Sequence, residues 1–327
     1  MALTTYAEAA VAALGDAMRS DPRVVALGED VGRGGIFGQY RGLQQAFGAM
    51  RVIDTPISES TIMGAAVGMA LAGLKPVVEM RVADFALCAM DELVNQAAKA
   101  RYMFGGQGRV PLVARLPIGI WTASAAQHSQ SLEAWFAHIP GLVVVTPATA
   151  ADNYALLRAS IDCGDPVVYM EHKELWSMQG DVPAGARVEL GKAKTLRIGT
   201  DLTLVSWSRA VHASLEAAEA AATRGVSVEV LDLRTIWPWD RDAVLASAAK
   251  TRRLLVVHEA IQAAGFGAEI AASVAEQLGI PVARLGGPRI PVGYAPTLEA
   301  EARIDGAKIL ARVLGMTEGS SRKQPVA

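Results

Sequence analysis

Short apolar runs alternate with longer stretches of helical periodicity along this chain, and the cycle is played out twice. Strand-like runs at 24–27, 52–53, 76–80, 110–116, 142–146 and 166–171 are interleaved with helical patterns at 5–20, 43–47, 88–102, 131–137 and 150–163. A polar, glycine-containing linker follows at 177–191. Strands at 202–207, 227–233, 254–259 and 282–285 then alternate with helices at 210–223, 241–250 and 268–278. Such alternation builds parallel sheets with crossover helices on their faces. Two open, mainly parallel-sheet, three-layer α/β domains are expected, over 1–185 and 186–327, with a mobile tail after about Gly315.

Within the first cycle the stretch RVIDTPISESTIMGAAVGMALAG, 51–73, is the organising one. Val52 and Ile53 end a buried strand, Pro56 stops it, and Ser58 or Ser60 caps a helix whose Gly64, Ala65, Ala66, Gly68, Ala70 and Ala72 permit close packing. Glu59 stands alone at that strand-to-helix junction. Ligands bind at such junctions in open α/β sheets, and a carboxyl group among apolar neighbours is tuned for acid/base work. A first-turn glutamate placed there only by the helix dipole fits the same pattern. The second suspicious residue is His128, in the small, polar loop AAQHSQS (125–131), where a histidine exchanges protons near neutral pH or is simply structural.

Composition removes other classes. The 31 basic and 33 acidic side chains of the 327-residue chain form no long run, so an electrostatic footprint for nucleic acid is missing. Cys88 and Cys163 stand far apart without a CxxC pair, which fits a reducing cytoplasm, and Lys75 and Glu79 interrupt the longest apolar stretch, so no membrane span is expected. The glycines of VGRGGIFGQY miss GxGxxG spacing, and GFGAEI (265–270) lacks the preceding dinucleotide-type turn. A stand-alone nucleotide-binding module is therefore disfavoured. There is no GxSxG, HExxH or GxxxxGK[ST], and the five histidines show no metal-ligand spacing.

The runs GEDV (28–31), RVIDTPISE (51–59), NQAAKARYMFGG (95–106), AAQHSQSLEAWFAHIPGL (125–142), DPVVYMEHKELW (165–176) and LDLRTIWPWD (231–240) together resemble one family. It is the beta subunit of the thiamin-diphosphate-dependent decarboxylating component of 2-oxoacid and acetoin dehydrogenase complexes, in the transketolase superfamily. The resemblance covers about residues 4–300. EHKELWSMQGDVP and YMFGGQ are similar to the acetoin branch, HEAIQAAGFGAEI to the pyruvate branch, and AAQHSQS differs from the usual branched-chain form.

The resemblance implies a pyrimidine-binding domain followed by a transketolase C-terminal-like domain. It implies a cofactor shared with an alpha subunit that grips diphosphate and magnesium through a GDG-type motif, in a heterotetramer of two alpha and two beta chains. Beta–beta contacts and docking to a lipoyl acyltransferase core are implied as well. Glu59 matches the carboxyl group that bonds the pyrimidine nitrogen, and Phe85 the ring that packs on the pyrimidine. Glu29, Ile57, Ser58, Arg81 and Cys88 match the pocket lining, and His128 the histidine of acyl transfer to lipoyl groups. Leu112, Ser160, Ile161, Cys163 and Asp165 match a potassium site built largely of backbone carbonyls. Tyr40, Arg81, Trp176 and Trp207 depart from the family pattern. The competing class is a non-catalytic assembly subunit that kept the fold.

Overall fold

The structure, a computed structural model, describes residues 3–318. The first cycle runs β1 (Leu3–Thr5), α1 (Tyr6–Ser20), β2 (Val24–Gly28), α2 (Leu43–Phe47), β3 (Val52–Asp54), α3 (Glu59–Leu71), β4 (Lys75–Glu79), α4 (Ala98–Met103), β5 (Val113–Arg115), α5 (Glu133–Ala137), β6 (Val143–Val145), α6 (Ala150–Asp162) and β7 (Val167–Tyr169). Next come β8 (Gln179–Asp181), β9 (Lys194–Arg197), β10 (Leu202–Ser206), α7 (Ala210–Ala222), β11 (Val228–Asp232), β12 (Thr235–Trp237), α8 (Arg241–Thr251), β13 (Leu254–Ile261), α9 (Gly267–Leu278), β14 (Val282–Gly287), α10 (Pro296–Ala302) and α11 (Gly306–Thr317). The first helix opens on a reciprocal cap. The Thr5 hydroxyl accepts the Glu8 N–H at 3.2 Å, and the Glu8 carboxylate accepts the Thr5 N–H at 2.9 Å.

Seven strands form the first sheet in the order β12-β6-β7-β5-β4-β2-β3, parallel throughout except for β12. Because β3 lies on one side of β2 and β4 on the other, the winding reverses at β2, and this topology puts a ligand-binding crevice outside the carboxyl ends of these three strands. One face is covered by α1 and α6, through Leu14, Leu156 and Leu157. The other is covered by α3 and the segment after it, through Met63, Ala66 and Leu93. The second sheet, β14-β13-β10-β11-β9, has only β9 antiparallel. It is sandwiched between α7 and α11 on one face and α8 and α9 on the other. Both domains are therefore three-layered, and one buried apolar cluster, from Val78 and Phe136 to Trp207 and Val256, runs through both.

Four features differ from the expectations. The helix expected over 88–102 is broken into 3-10 turns over Ala83–Ala89, a wide π stretch over Asp91–Ala97 and only then α4. The wider turn keeps Leu93 and Ala97 on one buried face and lets the Asp91 carboxylate take both Asn95 at 2.7 Å and Gln96 at 3.3 Å. The linker 177–191 contains β8, which pairs with β1. The second half of the chain lends β12 to the first sheet. Finally, α11 continues through Met316 and Thr317, so the tail does not begin at Gly315; the residues GSSRKQPVA lie outside the described part. Among the described residues no helix is long and apolar enough to cross a membrane.

Candidate active site

The crevice at the reversal of winding is built from three strand ends. At the end of β2, Gly28 has φ +153, and a Cβ there would lie 2.6 Å from the Glu79 carbonyl oxygen, so β2 and β4 close up as only glycine allows. The chain then delivers Glu29 into the crevice. At the end of β3, the Asp54 carboxylate accepts the Gly32 N–H at 2.7 Å and the Thr55 N–H reaches the Gly28 carbonyl at 3.1 Å. These bonds fix the turn through Pro56 to Glu59, the half-buried first residue of α3. Ser58 is the N-cap by position, but its hydroxyl bonds Thr61 Oγ1 at 2.9 Å and caps no amide. Ile57, 77% exposed, is an apolar side chain standing out at the mouth.

Glu29 and Glu59 feel each other. Burial, and then the Glu59 carboxylate, push the Glu29 carboxyl upward, while Arg81 pulls it back. Arg81 follows β4 and pairs with Asp30 at 3.4 Å, both side chains being solvent-accessible. Three of the expected residues thus converge: Glu29, Glu59 and Arg81. Beyond Arg81 the 3-10 turns carry half-buried Phe85 and exposed Cys88. The Phe85 ring meets the His128 imidazole edge to face, with centroids 5.3 Å apart. Phe85 therefore ties the His128 loop to the crevice wall.

The loop begins at Gly119, φ +91, where a Cβ would overlap His172 Nε2 at 2.0 Å. His128 ends a 3-10 turn and is exposed, and its carbonyl accepts a hydrogen bond from Lys173 Nζ. Lys173 is buried, and that burial lowers its pKa to about 8 against the opposing pull of Asp84 and Glu259. Sequence reasoning gives Lys173 no role beyond its place in the run DPVVYMEHKELW. It also missed Asp84, whose carboxylate accepts Gln130 Nε2 at 2.7 Å. Neither contact leaves a local pattern, since a buried lysine is identified only by what surrounds it.

The residues matched to potassium gather at the end of α6. Cys163 donates its N–H to the Ser160 carbonyl at 3.3 Å, Leu112 offers its carbonyl to Val167 at 2.9 Å, and the Asp165 carboxylate pairs with Arg101 at 2.7 Å. Burial raises the Cys163 thiol pKa, which keeps it a neutral thiol rather than a thiolate ligand. Among the described residues no group of three His, Cys, Asp or Glu is placed to hold a metal. Of the departures from the family pattern, Tyr40 is fully buried under the Arg115 guanidinium at 4.9 Å. Trp207 stacks on His258 and donates to Glu133 at 3.0 Å. Trp176 packs on Phe37 at 4.7 Å, which in turn meets Trp121 of the His128 loop at 5.1 Å.

Comparison with known proteins adds family to geometry. Residues 3–178 match the transketolase pyrimidine binding domain and residues 191–309 the transketolase C-terminal domain. The chain is 40% identical to the 2-oxoisovalerate dehydrogenase subunit beta of Bacillus subtilis (strain 168), over 97% of this chain and 100% of that one. It is 42% identical to the acetoin:2,6-dichlorophenolindophenol oxidoreductase subunit beta of Cupriavidus necator, over 88% and 89%. It is also 42% identical to the pyruvate dehydrogenase E1 component subunit beta-2, mitochondrial, of Oryza sativa subsp. japonica, over 91% and 82%. Among solved structures, a split gene transketolase described as an inactive beta4 tetramer superposes with TM-score 0.81 over 95% of this chain and 98% of that chain. At 22% identity it speaks for the fold.

Proposed function

Because the chain belongs to the family of beta subunits of 2-oxoacid and acetoin dehydrogenase first components, which depend on thiamin diphosphate, we propose that it supplies the aminopyrimidine half of a shared cofactor site. The observation that carries this reading is Glu59 in the first turn of α3, in the crevice at the reversal of winding, with the Glu29 carboxyl beside it. The donor set fits the group. An aminopyrimidine asks for a carboxyl group at one ring nitrogen and for apolar and aromatic surface around its faces. Glu59, Ile57 and Phe85 are of those kinds, with Glu29, Ser58, Arg81 and Cys88 completing the lining.

When bound, thiamin diphosphate supplies the nucleophilic carbon and the electron sink for breaking the bond beside a carbonyl. Glu59 holds and exchanges the proton at the pyrimidine nitrogen, in a half-buried site where a charge-assisted hydrogen bond is stronger than in water. Glu29, its carboxyl pushed up by burial and by the neighbouring Glu59 carboxylate, keeps its own proton to higher pH than a free carboxyl group does. Phe85 gives one apolar wall and holds the His128 ring edge-on. His128 takes and returns a proton as substrate binds and as the acyl unit passes to a lipoyl group. Diphosphate and magnesium belong to a GDG-bearing alpha subunit, in a heterotetramer of two alpha and two beta chains that docks to a lipoyl acyltransferase core in the cytoplasm. The carbonyl-rich end of α6, with Leu112, Ser160, Ile161, Cys163 and Asp165, is the potassium position, favoured by the negative end of the helix dipole. The domain boundary lies near residues 185 and 186.

Acetoin is the substrate favoured by EHKELWSMQGDVP and YMFGGQ, with pyruvate close behind. The 40% identity to a 2-oxoisovalerate dehydrogenase subunit over nearly the whole chain keeps a branched 2-oxoacid as a second reading. Turnover of acetoin, pyruvate and 2-oxoisovalerate by the complex with the alpha subunit decides among them. In that complex Glu59→Gln is expected to lose turnover by about a hundredfold or more. Turnover equal to wild type defeats the assignment.

A further inference from the structure

The segment from Gly119 to Ser131 that carries His128 has no regular structure beyond one three-residue turn. Ala123 has φ +53, and Ala125 has φ +57 with ψ −164, a combination that only glycine adopts without strain. Strained residues of this kind persist only where their surroundings over-determine them. Packing does not do so on one side. There Ala126, Gln127 and Ser129 line a cavity of about 650 Å³, faced by the second-domain segments around Ala264 and Ile290.

Hydrogen bonds hold the loop instead. Gly119 N–H and the Gln130 carbonyl close its base at 3.3 Å, Gln130 bonds Asp84, and Lys173 bonds the His128 carbonyl. Two further contacts come from the other domain. Glu259 Oε1, on β13, accepts the Ile120 N–H at 2.8 Å, and Glu299 Oε2, on α10, accepts the Ala123 N–H at 2.8 Å. Both carboxylates are fixed from behind. His172 Nδ1 accepts the Glu174 N–H at 3.1 Å, so its proton is on Nε2, which donates to Glu259 Oε1 at 2.9 Å. Glu299 Oε1 accepts Arg303 Nη2 at 2.7 Å, and Arg303 also pairs with Glu174.

Taking His128 as the acyl-transfer histidine proposed above, we infer that Glu259 and Glu299 are positioning residues: the second domain sets where the imidazole sits by accepting two amides of its loop. The first domain carries the histidine, and the second keeps it against Phe85. Burial of a charged acceptor on a loop amide makes each contact strong and directional. Removing one lets the strained segment relax toward the cavity.

The test is a double-mutant cycle in the assembled complex, read as the rate of reduction of a lipoylated domain. Glu299→Ala is expected to lower this rate about tenfold, since misplacement of a proton-handling group by about 1 Å costs factors of that size or more. Glu299→Gln, which keeps an acceptor, is expected to restore most of it. In a His128→Ala background the same Glu299→Ala change is expected to cost less than about twofold, because the residue it positions is gone. An equal loss in both backgrounds, or none with histidine present, overturns the inference and leaves the cofactor assignment standing. A His128→Ala complex as fast as wild type removes the role given to His128 and this inference with it. Should Glu299→Ala fail to fold, hydrogen exchange in the wild-type complex decides. The Ile120 and Ala123 amides are expected to exchange as slowly as those of β5, and exchange at exposed-loop rates overturns the clamp.

Discussion

A Cβ at residue 28 would meet Glu79 at the end of β4, 2.6 Å from its carbonyl oxygen and 2.9 Å from its Cβ. Gly28→Ala is therefore expected to destabilise the chain by about 2–4 kcal/mol and to displace Glu29, as measured by urea unfolding; a loss under about 0.5 kcal/mol contradicts the close approach. The side chain of that same Glu79 sets a pH dependence. Burial pushes the Glu79 carboxyl up to about 7, against the pull of Arg115 at 3.8 Å, and Gln39 donates to it at 3.0 Å. Between about 4.5 and about 7 the folded chain holds a proton that the unfolded chain releases, so this group's contribution is present at low pH and fades as pH rises through 7. Relative to Glu79→Gln, the wild type is expected to lose about 1–3 kcal/mol between about pH 5 and about pH 8, and a difference that stays flat contradicts the raised carboxyl. None of this was legible from the sequence. GEDV stood out as a run, but the reason for its glycine lies in a strand that is remote along the chain.

Helix α3 was the element best foreseen, and also the one whose surface was misread. Its junction with β3 and its opening Glu59 are where the sequence placed them. Of the six small residues, however, Ala66 and Ala70 pack inward, while Ala65, Gly68 and Ala72 are exposed. The helix is apolar nearly all round, so periodicity could not separate its two faces. A Cβ at Gly68 meets nothing within 4 Å. Gly68→Ala is thus expected to stabilise the isolated chain by about 0.5–1 kcal/mol in a thermal or urea melt, and a loss of stability shows close packing there after all. The neighbouring segment shows the opposite limit. Helical spacing over 88–102 was visible, but spacing alone does not distinguish an α-helix from the π stretch at Asp91–Ala97, because both return i+4 neighbours to one face.

The whole molecule joins two three-layer domains by a shared apolar cluster, by β12 crossing into the first sheet and by the carboxylates of Glu259 and Glu299 on the His128 loop. A seam of this kind predicts one cooperative unfolding transition in calorimetry; two resolved transitions contradict it. The alternation that announced two parallel sheets was plain in the sequence, because each strand and its crossover helix are local. The seam was not, since its hydrogen bonds join residues 139 and 176 positions apart and leave no periodic trace. The candidate site was half legible in the same sense: position and residue type singled out Glu59 and His128 but left a structural reading open for each, and only the resemblance gave them roles, whereas the groups that hold His128 left no signal at all. The central claim is that this chain provides one half of a shared cofactor site. Calorimetric titration of thiamin diphosphate into the isolated chain, the isolated alpha subunit and their mixture tests it most directly. Tight binding is expected only in the mixture and is expected to weaken by about a hundredfold with Glu59→Ala. Equal binding with Glu59→Ala, or no binding by the mixture, contradicts it.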